Sequence, residues 1–347
     1  MIILSIETSC DETAVAIVRI KGGKVEVLAD IVSSQIKMHS EYGGVVPQLA
    51  ARAHLRNMVP VLEKAFKKAK ISKDELDYIA VTKGPGLIPA LMIGVNSAKA
   101  LAFILGKPIV EVNHLEGHIY ANWLSKEKPD FYALKKMKFP VLCLIVSGGH
   151  TQLVLMKKNM RFDIVGETVD DAVGEAFDKV AKLLGLGYPG GPMVEKLAKC
   201  GDGDRIFLPR PMLRSGDLNF SFSGLKTAVL YETRKEENIN EKYRADICAS
   251  FQSAVIEVLT AKTIAAAKKY KVKNIFLGGG VSANKALCKG LGAGIKKNLP
   301  GVEFSFPEFK FTTDNALMIA IAGYYHIKDK DIGDWRDLSP DMNFRLR

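Results

Sequence analysis

Apolar and polar positions alternate most sharply at two places in the 347-residue chain. Residues 2–6 and 14–20 are apolar β-type runs around the polar segment Glu7-Thr8-Ser9-Cys10-Asp11-Glu12-Thr13, a pattern that predicts a hairpin at the start of a sheet. Residues 141–146 and 151–156 repeat it around Ser147-Gly148-Gly149-His150. Two such hairpins about 140 residues apart predict two related lobes. Between them lie a helical segment at 47–69, a strand at 78–81 ending in Gly84-Pro85-Gly86, a helix at 90–105 closed by Gly106, and a strand at 108–112. This alternation predicts an α/β fold.

Residues 125–140 are polar, basic and bounded by proline, and are expected to cross from an N-terminal lobe, 1–124, to a C-terminal lobe, 141–313. The second lobe should hold helices near 171–184 and 244–270, a Gly/Pro turn at 189–192, a strand at 274–277 and the triplet Gly278-Gly279-Gly280. A last helix should begin near Asp314 and run to about residue 327, with the segment 314–347 completing the first lobe. The final 20 residues are polar and either pack back or fray.

Composition narrows the class. Of all residues 48% are hydrophobic and 25% charged, which excludes a disordered chain. No apolar stretch reaches the roughly 18 residues of a membrane span, and the start lacks a basic n-region, so no membrane association is expected and a cytoplasmic location is. Five scattered cysteines without a C-x-x-C pair point to reduced thiols. Lys+Arg 49 against Asp+Glu 38 gives +11, a surface that attracts polyanions such as RNA.

Four constellations carry candidate chemistry. In Asn113-His114-Leu115-Glu116-Gly117-His118, two histidines at i and i+4 share a helix face, about 40° apart and 6 Å along the axis. That spacing serves one metal ion or two structural histidines. The order is not the H-E-x-x-H of zinc proteases. Asp314 is a candidate third ligand, though the residue pattern by itself favours a helix N-cap. Ser147-Gly148-Gly149-His150-Thr151 and Gly279-Gly280-Val281-Ser282-Ala283-Asn284 expose backbone N–H groups that can hold phosphate, the second ahead of a helix; each also reads as a tight turn. In Tyr188-Pro189-Gly190-Gly191-Pro192, Pro192 suits the first position of a helix, which would put Glu195 on its first turn. Asp178 lies on the preceding helix, on a face that could be merely solvated.

These motifs come in one order from residue 3 to about 322, together with Gly43-Gly44-Val45-Val46-Pro47, Gly84-Pro85-Gly86-Leu87, Gly174 to Lys179, and Phe220-Ser221-Phe222-Ser223-Gly224-Leu225-Lys226-Thr227. In this the chain resembles the TsaD family, tRNA threonylcarbamoyladenosine synthases, and more its bacterial and organellar branch than its archaeal one. The resemblance implies the actin/Hsp70-like ATPase superfold, two RNase-H-like lobes around a central cleft. It also implies transfer of threonylcarbamoyl from threonylcarbamoyl-AMP to N6 of adenosine 37 in tRNAs reading ANN codons, with release of AMP. By match to the family's motifs, His114, His118 and Asp314 would bind iron or zinc. Ile145, Val146, Ser147, Gly148, Gly149, Asp178, Gly191, Glu195 and Asn284 would line the adenylate site, which could also take ATP or ADP. The family usually has Asp at position 195 and often Cys at position 312. Asp11 and Glu12, on the first hairpin turn, are candidate catalytic carboxylates; the alternative is a pair of surface turn acids. Implied partners are tRNA, a paralogous TsaB-like subunit, a TsaE-like small ATPase and a TsaC-like enzyme that makes the adenylate.

Two other readings fit the superfold: a small-molecule kinase and a non-catalytic Hsp70-like switch. The histidine pair argues against a Mg²⁺-dependent kinase, because Mg²⁺ prefers oxygen ligands. His39, His54 and His326 join no constellation in the sequence; His54, on a basic helix, either packs or faces RNA.

Overall fold

The computed structural model describes residues 1–235 and 240–346. Its contacts divide the chain into two compact units, Met1–Met137 with Pro307–Arg347, and Lys138–Phe306.

The first unit is built on strands β1 (Ile2–Glu7), β2 (Glu12–Lys21) and β3 (Lys24–Ser34), helices α1 (Ile36–Ser40) and α2 (Pro47–Ala69), strand β4 (Tyr78–Gly84), helix α3 (Ile88–Leu105), strand β5 (Ile109–Asn113), helix α4 (His114–Tyr120), and strands β6 (Leu124–Lys128) and β7 (Phe131–Leu134). Its sheet runs β5-β4-β1-β2-β3-β7-β6. β1 pairs antiparallel with β2 and parallel with β4. It is central, so both its faces are buried, which explains its unbroken apolar sequence. Pro47 starts α2 and Gly106, at φ 62, closes α3 as its sequence predicts.

The second unit holds β8 (Val141–Val146), β9 (Thr151–Lys158), β10 (Arg161–Glu167), α5 (Val173–Leu183), α6 (Gly190–Ala198), α7 (Ser223–Lys235), α8 (Glu241–Tyr270), β11 (Asn274–Gly278), α9 (Lys285–Asn298) and β12 (Glu303–Ser305). Its sheet order is β10-β9-β8-β11-β12, with β8 antiparallel to β9 and parallel to β11. Reading the first sheet from β3 to β5 and the second from β10 to β12 gives one order, 3-2-1-4-5 within each unit. The repeat legible in the two hairpins therefore extends to the whole of both sheets. After β12 the chain rejoins the first unit, where α10 (Ala316–Lys328) packs on β1, β2 and α4.

Three differences from the sequence reading have physical causes. Residues 124–134, within the expected crossing segment, form the hairpin β6–β7 at the edge of the first sheet, where Val25 pairs with Tyr132. Tyr132 anchors it, buried and edge-on to Phe311 with ring centroids 5.6 Å apart. Pro192 is the third residue of α6, not the first, because the helix begins at Gly190; Glu195 therefore sits on its second turn. By length and composition α3 and α8 are long and apolar enough to cross a membrane, against the expectation that no stretch reaches that length. Both pack within their units, α3 against α2 and β4, and α8 against α6 and α9, as core helices of an α/β fold do. The last residues pack back on the first unit: Leu338 is buried, and the Asn113 side chain donates to the Phe344 carbonyl at 2.7 Å.

Candidate functional site

In the first unit, β5 delivers Asn113 as the N-cap of α4, its side chain accepting from the Leu115 N–H at 2.8 Å. α4 is buried along its whole length, and His114 and His118 meet on one face with ring centroids 4.7 Å apart. At the start of α10 the capping residue is Asn315, whose Oδ1 accepts from the Met318 N–H at 2.9 Å. That corrects the cap reading of Asp314. The Asp314 carboxylate turns to the imidazoles instead, with Oδ1 3.2 Å from His118 Nε2 and 3.5 Å from His114 Nε2. One ligand atom from each residue lies within 4.8 Å of the others. Gly117, between the histidines, allows this approach: a Cβ there would stand 2.9 Å from both Met318 Cγ and Ile319 Cδ1 of α10. Ser5 of β1 donates to the Ala316 carbonyl at 2.6 Å and fixes where α10 begins.

Behind the cluster sits Glu7, the carboxylate that ends β1. It is fully buried and accepts from Thr82 Oγ at 2.6 Å, from His114 Nδ1 at 3.0 Å and from the Ser9 N–H. Burial pushes the Glu7 carboxyl up, but His114 and these hydrogen bonds hold it below the usual carboxylate range. Burial pushes His114 down, and the carboxylates of Asp314 and Glu7 overcome it, lifting the imidazole to about 9. With Nδ1–H donated to Glu7, the His114 Nε2 edge faces Asp314. His118 is different: burial holds it below the ordinary value against the pull of Asp314, and among the described residues neither of its buried ring nitrogens has a well-aligned hydrogen-bond partner. A buried imidazole left in this state is costly unless something takes a nitrogen lone pair. Two imidazoles and a carboxylate, one imidazole oriented by a carboxylate behind it, form a donor set that fits a transition-metal ion such as iron or zinc.

Asp11 ends the β1–β2 turn and Glu12 is the first residue of β2, and both are buried. Glu12 accepts from Ser34 Oγ at 3.1 Å. Burial, then the charges of Asp11 and Asp314, push its carboxyl well above the usual range. The two are therefore not surface turn acids. The Cys10 thiol is pushed up by burial and the same acids, so it is no thiolate nucleophile. Sequence reasoning overlooked Glu7, whose signal was a carboxylate at the end of an apolar strand. It also left three histidines unplaced. His54 is buried and braces this turn, bonding Thr13 Oγ at 2.8 Å and the Cys10 carbonyl at 2.9 Å. His39 is buried against Gln35, at 3.2 Å. His326 bridges Glu116, at 2.6 Å, and Asp331, at 2.8 Å.

In the second unit, the carboxyl ends of the parallel strands β8 and β11 lead into the two glycine loops, the position where open α/β sheets bind ligands. Ile145 and Val146 are wholly buried in β8, so only their backbone can serve a ligand. Gly279, at φ +86, lies against the Val146 carbonyl, 2.4 Å from where its Cβ would be. Gly174 touches the Ser147 carbonyl in the same way, at 2.6 Å. Gly148, Gly149 and Gly191 face open space. Asp178 Oδ1 accepts from the Gly190 N–H at 2.7 Å, so it orients the start of α6 and is not a solvated face. Glu195 accepts from the Lys285 N–H at 3.1 Å. Asn284 caps α9 at Leu287 N, 2.9 Å, and donates to Gln252 at 2.8 Å. Three of these contacts, Gly174 with Ser147, Asp178 with Gly190 and Glu195 with Lys285, lie at the N-terminal ends of α5, α6 and α9, which favour an anion.

Residues 26–321 match the family described as "TsaD: tRNA N6-adenosine threonylcarbamoyltransferase". The chain belongs to the TsaD family. The TsaD-family enzyme of Thermosipho africanus, a tRNA N6-adenosine threonylcarbamoyltransferase, is 50% identical over 324 residues, covering 93% of this chain and 94% of its own. That of Bacillus subtilis is 50% identical over 327 residues, covering 93% and 90%. Among solved structures, the HypF protein of T. kodakarensis superposes with TM-score 0.61 at 16% identity, over 94% of this chain and 48% of its own. The activator of the 2-hydroxyisocaproyl-CoA dehydratase of Clostridium difficile, solved with ADPNP, gives 0.52 at 14% identity, over 96% and 99%. These two share the fold of the TsaD-family chain, which with the family match is the two-lobed actin/Hsp70-like superfold.

Proposed function

We propose that the chain transfers threonylcarbamoyl from threonylcarbamoyl-AMP to N6 of adenosine 37 in tRNAs that read ANN codons, giving t6A and AMP. The reading is carried by the buried His114–His118–Asp314 cluster in a chain of this family. His114, His118 and Asp314 would hold one iron or zinc ion, which when bound supplies positive charge for the carbonyl or the threonyl end of the donor. Glu7 fixes the tautomer of His114, and Gly117 keeps α4 close enough to α10 for Asp314 to reach both imidazoles.

The chemistry needs positioning more than activation. The mixed anhydride has a good leaving group, while the exocyclic amine is a weak nucleophile. In this reading the backbone N–H groups of Gly148, Gly149 and Gly191 hold the phosphate, beside Ser147, whose own N–H is donated to the His150 carbonyl at 2.8 Å. Asp178, Glu195 and Asn284 fix the nucleoside, and the family site extends to the backbone of Ile145 and Val146. The amine nitrogen bonds to the carbamoyl carbon, the carbon–oxygen bond to phosphate breaks, and AMP leaves. Asp11 takes the proton from the amine. Glu12, whose carboxyl burial and the neighbouring acids push well above the usual range, donates a hydrogen bond to the carbonyl oxygen as charge builds there. The partners are tRNA, a TsaB-like subunit, a TsaE-like ATPase and a TsaC-like adenylate producer, in the cytoplasm.

Transfer in vitro tests this. The protein, its partner subunits, threonylcarbamoyl-AMP and unmodified ANN-reading tRNA should yield t6A nucleoside and AMP in equal amounts, read by mass spectrometry of the digested tRNA. ATP turnover with no modified nucleoside, using helpers proved active on a known homologue, would replace this reading with a kinase or a nucleotide-driven switch.

A further inference from the structure

The 3-10 turn Phe309–Phe311 precedes Asp314 and carries two phenylalanines with opposite fates. Phe311 is 2% exposed and packs edge-on against Tyr132. Phe309 is 73% exposed. The fold does not use its ring, yet it holds its backbone firmly. The Phe309 carbonyl accepts both from the Thr312 N–H at 3.2 Å and from the Thr312 hydroxyl at 2.7 Å, and Thr312 is itself buried. The Phe311 N–H closes the turn on the Glu308 carbonyl at 2.8 Å. An aromatic ring on a rigid mount in solvent has its ordering entropy already met, which is what a binding platform requires.

The surroundings are basic. Lys310 Nζ lies over the rings of Phe311 and Tyr132, 4.6 and 5.3 Å from their centroids. Lys126 of β6 pairs with Glu308 at 3.6 Å, and Lys128 lies over Phe131 at 4.3 Å. Residues 124–136 and 307–313 together carry five lysines against three carboxylates. Exposed aromatics beside lysines suit unpaired RNA, whose bases stack on aromatic faces while cations meet the phosphates. Phe309 is five residues from Asp314, so its Cα lies within about 18 Å of the cluster even if the chain were fully extended.

We propose that Phe309 is a stacking platform for an anticodon-loop base next to the adenosine being modified, with Lys310 and the β6 lysines at the adjoining phosphates. This rests on the reading that tRNA is the substrate. Presenting one base for chemistry unstacks its neighbours, and Phe309 gives one of them a new face.

The test is equilibrium binding of unmodified ANN-reading tRNA to the partnered assembly at fixed salt, comparing wild type with Phe309→Ala and Phe309→Trp. Loss of one base–aromatic stack weakens binding about tenfold. The Ala variant should show that loss, and the Trp variant should restore wild-type affinity. Metal content and thermal midpoint should match wild type in both, since the ring packs against nothing the fold needs. Wild-type affinity in the Ala variant overturns the proposal, and so does an equal loss in the Trp variant. A wild-type assembly that binds no tRNA overturns the substrate reading itself, a failure distinct from that of Phe309.

Discussion

At the residue scale, the site depends on one side chain that is missing. Gly117→Val should push α4 from α10, because its β-carbon alone would stand 2.9 Å from Met318 and Ile319. Overpacking of this kind costs about 1–3 kcal/mol. Chemical denaturation should show that loss, together with weaker metal retention than in wild type. The His118→Ala variant should lose bound metal; metal analysis of the purified variant checks this. The histidine spacing was legible because i,i+4 geometry is a local property of a helix. The role of Asp314 was not, because Asp314 and Asn315 are adjacent and both residue types cap helices well. Only the Asn315–Met318 bond decides between them. Asp11 and Glu12 stood out as acids on a turn, but their burial depends on neighbours far away in sequence.

At the element scale, the first turn of α4 is tied to the last turn of α10 by His326, which bridges Glu116 and Asp331. Burial pushes His326 down, but Glu116 and Asp331 lift it above its ordinary 6.5. A histidine raised in the folded state contributes stability that is complete below about pH 6.5 and is lost as pH rises through the raised value. The stability gap between wild type and His326→Gln should therefore be largest near pH 6 and shrink toward pH 9, as denaturation at a series of pH values would show. A gap that grows with pH would refute the bridge. The elements that escaped the sequence reading share a cause. β6 is an edge strand with Ser125, Lys126, Glu127 and Lys128 on it, and edge strands carry charge to resist pairing with other chains, so the segment looks like a linker. Central strands such as β1 and β8 were legible because burial on both faces demands unbroken apolar runs.

At the scale of the whole molecule, each unit repeats the order 3-2-1-4-5, and each places candidate site residues at the end of its first, central strand. Glu7 ends β1 behind the histidine cluster, and Ser147 follows β8 at the glycine loop. The duplication was visible in the two hairpins, because antiparallel neighbours are close in sequence. The parallel strands, joined through helices, were legible only as isolated runs. The net charge of +11 belongs to this scale too. If two or more phosphates are neutralised on binding, tRNA affinity should fall about tenfold or more between ~50 and ~200 mM salt. A flat salt response would remove charge as the source of attraction.

The central claim is that the His114–His118–Asp314 cluster serves threonylcarbamoyl transfer to tRNA. Its most direct test is the single-turnover rate of t6A formation, measured against metal occupancy in wild type, in chelator-treated and reloaded protein, and in His114→Ala. The rate should be proportional to occupancy, restored on reloading, and at least about a hundredfold lower in the variant. Full-rate transfer by the metal-free protein or by His114→Ala would contradict it.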